Sequence, residues 1–159
     1  MIALMWAANI LGWPLIHLVI AYLSLRLPEG CLDRDSWITA PRRWERDGLS
    51  YRHWLAVRRW KRFLPDGGPL LGGFSKRNLL LRDPKQVAQF LIETRRAEIA
   101  HWCMLACLPV FFLWNPPWAR WVMTGYAMVA NLPCIIAQRY NRVALGRVLR
   151  RPCQVQVRV

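Results

Sequence analysis

Long apolar runs constrain the fold of this chain more than any other feature of its sequence. Residues 1–25 are almost wholly apolar, and two further apolar runs lie on either side of the break at Asn115-Pro116-Pro117. A helix needs about 20 apolar residues to cross a bilayer. Residues 1–25 lack the positive start and small-residue cleavage site of a signal peptide, which favours a retained transmembrane helix. The pattern predicts an all-α integral membrane protein with about three transmembrane helices.

The charges predict the orientation of these helices. The chain has 23 Lys and Arg against 9 Asp and Glu, a net charge of +14. Basic residues are dense directly after residue 25, and six arginines lie between Arg139 and Arg158. Cytoplasmic loops of membrane proteins are enriched in Lys and Arg. We therefore expect a multi-pass protein of the cell membrane, with its N-terminus outside and its C-terminus in the cytoplasm.

We predict a single membrane domain over residues 1–159 with five segments. These are a first transmembrane helix (1–25), a basic cytoplasmic insert (26–83), an amphipathic helix continuing into the second transmembrane helix (84–114), a third transmembrane helix (118–138) and a basic cytoplasmic tail (139–159). Asp83 and Pro84 are the N-cap and first residue of the helix that leads to the second span, and it can run to Trp114.

The insert contains a candidate interfacial helix. Ser50 is a favoured N-cap residue for a helix that runs to Leu64. Its tryptophans and arginines suit a helix that lies flat in the cytoplasmic headgroup layer. A plain globular helix packed on the protein fits the same pattern, so both interpretations stay open.

Two ionisable residues point inward just before the second span. At about 100° per residue, Glu98 and His101 continue the apolar stripe of their helix, whereas Glu93 and Arg96 fall on the opposite, polar face. Ionisable groups at a membrane boundary are costly and usually functional. Glu98 can orient the His101 imidazole, which then acts as a general base. The structural alternative is that Glu98 pairs with an arginine and His101 only marks the boundary.

Other polar residues offer binding roles. Asn131 begins a polar stripe at helical spacing that descends into the third span, and Gln138 and Asn141 continue it. The glycine-rich loop before Lys76 and Arg77 can cradle a phosphate, although the spacing of a nucleotide-binding P-loop is missing. The five cysteines form no CxxC pair, so we expect neither a disulfide framework nor a metal site.

The chain resembles the glycosyl-4,4'-diaponeurosporenoate acyltransferase family of bacterial carotenoid synthesis. The resemblance covers roughly residues 28–142 and rests on Glu93-Thr-Arg-Arg-Ala-Glu98-x-x-His101-Trp102, on Tyr126-Ala-Met-x-Ala-Asn131-x-Pro133, and on Gln138-Arg-Tyr-Asn-Arg142. It implies a membrane O-acyltransferase that esterifies a sugar hydroxyl of a glycosylated carotenoid, or of a related glycolipid, with a fatty acyl chain. The widespread HxxxxD acyltransferase motif is missing, because Ala106 stands five residues after His101.

The resulting hypothesis assigns roles to individual residues. His101 and Glu98 are the catalytic candidates. The candidates for substrate binding are Glu93, Arg96, Asn131, Gln138, Arg139, Asn141, Arg142, Lys76 and Arg77. The partners are the glycolipid acceptor, the membrane and an acyl thioester such as acyl-CoA, a co-substrate rather than a cofactor. Asn131 or an arginine is the candidate for stabilising the oxyanion, and the oligomeric state is left open.

Two other hypotheses fit the same residues. One is a metal-dependent membrane hydrolase with Glu93, Glu98, His101 and Asn131 as ligands. The other is a non-enzymatic basic scaffold that binds anionic lipid or a partner enzyme. Nucleic acid is not an expected partner, because the basic residues serve as topology signals and no reader motif is present.

Overall fold

The computed structural model describes residues 2–64 and 83–150, which form helices and turns without a β-strand. The α-helices are α1 (Ile2–Leu25), α2 (Leu49–His53), α3 (Val57–Trp60), α4 (Pro84–Ala106) and α5 (Pro117–Arg150). Short 3₁₀ helices cover Glu29–Cys31, Arg43–Gly48, Lys61–Phe63 and Leu108–Leu113. The all-α prediction is confirmed for the described part of the chain.

In the described part of the chain, two segments are long and apolar enough to cross a membrane, namely Ile2–Leu25 and Pro84–Leu113. On α1 the apolar side chains face outward, and only Asn9 and Trp13 are buried. An outward apolar surface of this extent is typical of a helix in contact with lipid or a partner. The third predicted span, residues 118–138, lies within α5 and stays a prediction.

Helix α4 begins as predicted but ends earlier. The Asp83 carboxylate accepts a hydrogen bond from the amide of Lys85 at 2.9 Å, and Pro84 is the first helical residue. The α-helix ends at Ala106 rather than at Trp114, and the chain continues as a 3₁₀ helix. Pro109 explains the early end, because proline lacks an amide hydrogen and disfavours α-helical geometry in the residue before it.

Helix α5 is the longest element and packs chiefly against α4, which also packs against α1. Its buried stripe follows a four-residue repeat, which keeps one face of the helix turned inward. The stripe consists of Ala119, Met123, Ala127, Asn131 and Ile135. The helix continues through Pro133 to Arg150, so residues 139–150 of the predicted tail are helical, and Arg139 and Arg142 contact other elements.

The single helix predicted from Ser50 to Leu64 is wrong. The segment forms two short helices, α2 and α3, separated at Ala56, whose φ of 46° is left-handed. Ser50 is not an N-cap, because it lies inside α2, whose N-cap is Gly48, and its hydroxyl donates to the carbonyl of Trp44 at 2.5 Å. The buried residues Tyr51 and Val57 pack against Tyr140 of α5. This part of the insert therefore packs on the protein, as the globular interpretation predicted, while Trp54 remains exposed.

An amide pair attaches α1 to the turn between α4 and α5. The side-chain amides of Asn9 and Asn115 exchange two hydrogen bonds of 2.8 Å, and the indole of Trp114 donates to Asn9 at 2.9 Å. Both asparagines are buried, so each needs a partner to replace water. The pair fixes the position of α1 along the other two helices.

We predict that Asn9 and Asn115 are energetically coupled. Replacing either by Ala leaves the other amide partly unpartnered, so the double variant loses less stability than the sum of the single variants. The coupling energy is about 0.5–2 kcal/mol, because hydrogen bonds between apolar helices are worth that much. Unfolding of the two single variants and the double variant in detergent measures it, and strictly additive losses would contradict the pairing.

Candidate active site

A buried carboxylate joins α4 to α5. Glu98 is completely buried, and each of its oxygens accepts a hydrogen bond from a guanidinium. Arg139 Nη1 lies 2.8 Å from Oε1, and Arg142 Nη2 lies 2.6 Å from Oε2. A carboxylate removed from water is stable only when it is paired and hydrogen-bonded. The contacts of Glu98 therefore agree with the alternative interpretation, in which this carboxylate pairs with arginines.

The ion pair extends into the insert through Arg139. Its Nε donates to Glu45 Oε1 at 2.9 Å, and its remaining nitrogens reach the carbonyls of Ile38 and Ala40 at 2.9 Å. Burial opposes the charge of Arg139, but Glu98 and Glu45 outweigh it and raise its pKa. Burial, and then the hydrogen bond from its hydroxyl to Glu45 at 2.7 Å, raise the pKa of Tyr51. All three nitrogens of Arg139 are thus held by protein groups.

His101 meets Asn131 across the helix interface. His101 Nδ1 lies 2.9 Å from Asn131 Oδ1, and Asn131 Nδ2 donates to the carbonyl of Ala127 at 2.9 Å. A carbonyl accepts only, so it fixes which end of the amide is the NH₂ group. Asn131 Oδ1 then needs a donor, which places the proton of a neutral imidazole on Nδ1. Nε2 of His101 is left as the basic nitrogen.

A packed apolar cluster adjoins the His101–Asn131 pair. Trp13 stacks on Phe111 with ring centroids 4.2 Å apart, and its indole nitrogen lies 3.4 Å from the sulfur of Met123. Ala127, whose carbonyl holds Asn131, belongs to the same buried cluster. The His101–Asn131 pair therefore borders the packed apolar core between α1, α5 and the turn at Phe111.

His17 of α1 also faces the site. It interacts electrostatically with His101, and its ring lies 5.7 Å from that of Trp13. Its Nε2 is buried and has no hydrogen-bond partner in the described part of the chain. His17 was not among the predicted site residues, although an ionisable residue in an otherwise apolar span is itself a sign of function.

Glu93 and Arg96 act on the end of α1. The polar face predicted for Arg96 is covered by the end of α1, because Arg96 is buried and donates to the carbonyls of Ser24 and Leu27 at 2.7 and 3.2 Å. The last carbonyls of a helix lack partners within it, so Arg96 caps α1. Glu93 Oε1 lies 3.3 Å from Arg96 Nε and completes this contact.

Two further predicted residues, Gln138 and Asn141, lie on α5. Asn141 accepts a hydrogen bond from Lys61 at 2.7 Å, and Gln138 is half-buried on α5. Lys76 and Arg77 lie outside the described residues. Within residues 2–64 and 83–150, no three His, Cys, Asp or Glu side chains are grouped so that they could hold a metal ion.

Glu45 was not predicted as a site residue, although it pairs with Arg139, the partner of Glu98. Glu45 is buried and accepts hydrogen bonds from Tyr51, from Arg139 and from the backbone amide of Arg42. Its sequence neighbourhood is polar and basic, so no periodic pattern distinguishes it from an exposed acid. Only the packing of the insert on α5 gives it its role.

We predict that Glu98→Gln destabilises the protein by about 3–5 kcal/mol, because breaking one side of a buried ion pair leaves two buried guanidiniums without their counter-charge. Asp33→Asn is the matched control, since it removes the charge of an exposed carboxylate. Thermal unfolding in detergent compares the two variants. Equal melting temperatures for Glu98→Gln and the control would contradict the structural role of the pair.

Comparison with known proteins agrees with the resemblance seen in the sequence. The family model for glycosyl-4,4'-diaponeurosporenoate acyltransferase matches residues 34–151. Glycosyl-4,4'-diaponeurosporenoate acyltransferases of Staphylococcus aureus strains bovine RF122 / ET3-1 and USA300 are 35% identical to the chain over 140 residues, which cover 87% of this chain and 84% of each relative. No solved structure matches the chain. The chain is an acyltransferase and belongs to the glycosyl-4,4'-diaponeurosporenoate acyltransferase family.

Proposed function

We propose that the protein is a membrane-bound O-acyltransferase that esterifies a sugar hydroxyl of a glycosylated carotenoid or a related glycolipid with a fatty acyl chain. The acyl donor is a thioester such as acyl-CoA, and no resident cofactor is required. The names of the relatives support the acceptor class. The single observation that carries the proposal is the His101–Asn131 contact, which orients the imidazole and makes Nε2 the basic nitrogen of its neutral form.

The proposed reaction uses His101 as a general base and then as a general acid. Nε2 takes the proton of the sugar hydroxyl while the oxygen attacks the thioester carbonyl carbon. The tetrahedral intermediate collapses, the carbon–sulfur bond breaks, and the imidazolium returns the proton to the departing thiolate. The products are the sugar ester and the free thiol, so atoms and charges balance.

Asn131 and Glu98 support this base in different ways. Asn131 orients the imidazole, since its Oδ1 faces His101 and its amide group is directed to the carbonyl of Ala127. That geometry favours an orienting role over the oxyanion role considered for Asn131. The oxygens of Glu98 face Arg139 and Arg142, so Glu98 acts by holding α4 against α5. The dyad of Glu98 and His101 stays a prediction.

His17 is a further candidate to contact the substrate. Its Nε2 is buried on α1 and has no hydrogen-bond partner among residues 2–64 and 83–150. A hydrogen bond from the acceptor sugar or to the developing oxyanion would satisfy this nitrogen. The exposed aromatic and aliphatic surface of α1 and α5 would face the lipid chains of both substrates.

The proposed placement has three spans, with the N-terminus outside and the C-terminus in the cytoplasm. The exposed side chains on the first half of α5 include Trp118, Trp121 and Val129, which supports its contact with lipid. The arginines of the insert and of the second half of α5 then lie at the cytoplasmic surface. The scaffold and hydrolase hypotheses are not retained, because the chain belongs to an acyltransferase family.

We predict that His101→Ala lowers acyl transfer by about 10²–10⁴-fold, the usual contribution of a general base, while the protein remains folded and membrane-bound. His53→Ala is the control, since His53 is exposed on α2. Mass spectrometry of lipid extracts from cells with each variant measures the acylated and unacylated glycolipid. Full turnover by His101→Ala would sink the proposed mechanism.

We predict a smaller loss for Asn131→Leu. The substitution keeps a similar volume but removes the acceptor that orients His101, so the rate falls by about tenfold or more without reaching the loss of His101→Ala. In the background of His101→Ala, Asn131→Leu should cost nothing more, because its effect acts through the imidazole. Independent, multiplicative losses in the double variant would show that Asn131 acts in another way.

A further inference from the structure

A cationic cavity lies beside the ionic cluster of Glu98, Arg139 and Arg142. It has a volume of 430 Å³ and is enclosed by α4, by the second half of α5 and by the segment from Asp35 to Arg46. Five guanidiniums line it, from Arg42, Arg43, Arg46, Arg95 and Arg142. Only two carboxylates, those of Asp35 and Glu45, accompany them, so the lining has an excess of three positive charges.

The two carboxylates are already paired. Asp35 accepts from Arg95 Nε at 2.8 Å, and Glu45 accepts from Arg139 and Tyr51. Arg142 is the most deeply placed of the cationic residues, with 4% of its surface exposed. Its Nη2 contacts Glu98 and Thr39, whereas its Nη1 is buried without a hydrogen-bond partner among the described residues. A buried guanidinium donor of this kind calls for an acceptor.

We propose that this cavity binds the phosphoryl group of the acyl donor. Guanidiniums form paired hydrogen bonds to phosphate oxygens, and several arginines around one cavity suit the multiple charges of a phosphate or diphosphate. Along α4, Arg95 precedes His101 by about 9 Å of helical rise, so a donor held here has its reactive end on the side of the proposed base. The assignment to the acyl donor rests on the proposed function, whereas the binding of a phosphoryl group does not.

The test removes charge from the cavity without breaking the buried pair of Glu98. Arg43 and Arg46 line the cavity but are exposed, so Arg43→Gln with Arg46→Gln should leave the fold intact. The matched control is Arg52→Gln with Arg58→Gln, which removes two exposed arginines from α2 and α3. Equal melting temperatures of the two double variants establish that the comparison is between folded proteins.

Calorimetric titration of the full chain in detergent, with coenzyme A and with inorganic pyrophosphate, measures binding without turnover. We expect the cavity variant to bind both probes at least about tenfold more weakly than the wild type, because charge-assisted hydrogen bonds are lost. The control variant should bind within about twofold of the wild type. Equal weakening in the two variants, or no binding by the wild type, would overturn the proposal.

A lipid headgroup offers the same phosphoryl chemistry, so the titration is repeated in nanodiscs. If the cavity holds the donor, coenzyme A binds equally in phosphatidylcholine and in mixed phosphatidylcholine–phosphatidylglycerol nanodiscs. If the wild type loses coenzyme A binding when phosphatidylglycerol is added, the lipid headgroup occupies the cavity. That result would overturn the assignment to the donor. Failure of the proposed chemistry would appear instead as unchanged turnover in His101→Ala, so the two failures are distinguishable.

Discussion

A carboxylate with no exposed surface must replace the water that it has lost, and at Glu98 two arginines of the neighbouring helix replace it. Glu98 lies on α4 and its partners Arg139 and Arg142 lie on α5, so their attraction fixes these helices against each other. Arg139 carries the same constraint into the insert through Glu45. Removing any member leaves uncompensated buried charge, which is far more costly than losing an exposed pair.

This constraint explains how a small helical protein holds a polar site beside an apolar surface. His101 follows Glu98 by one helical turn and meets Asn131, whose amide is directed by the carbonyl of Ala127. The Asn9–Asn115 pair and the Arg96 cap attach α1 at both ends, which places His17 on the third side. Charge thus gathers around Glu98, and aromatic residues pack at the other end of the helices. The proposed transfer of a fatty acyl chain to a polar sugar needs both environments.

Much of the helical framework could be predicted from the sequence, because hydrophobic runs, the Asp83–Pro84 start and the Asn115-Pro116-Pro117 break are local signals. The inward direction of Glu98 also followed from helical periodicity. The partners of Glu98 did not, because Arg139 and Arg142 look like ordinary basic residues at the end of a span. The helix from Ser50 failed because burial of Tyr51 and Val57 against α5 outweighs local helix preference. The burial of Arg96 could not be predicted, because helical periodicity does not show that the end of α1 covers this face of α4.

The proposed mechanism depends most on the tautomer of His101, in which Asn131 holds the proton on Nδ1 and Nε2 is the basic nitrogen. Nitrogen-15 NMR of histidine-labelled protein in nanodiscs reports which ring nitrogen carries the proton, and the spectrum of His101→Ala assigns the signal among the three histidines. With the imidazole neutral, the account predicts a single tautomer protonated at Nδ1. A proton on Nε2, or the tautomer mixture of a free imidazole, would contradict it.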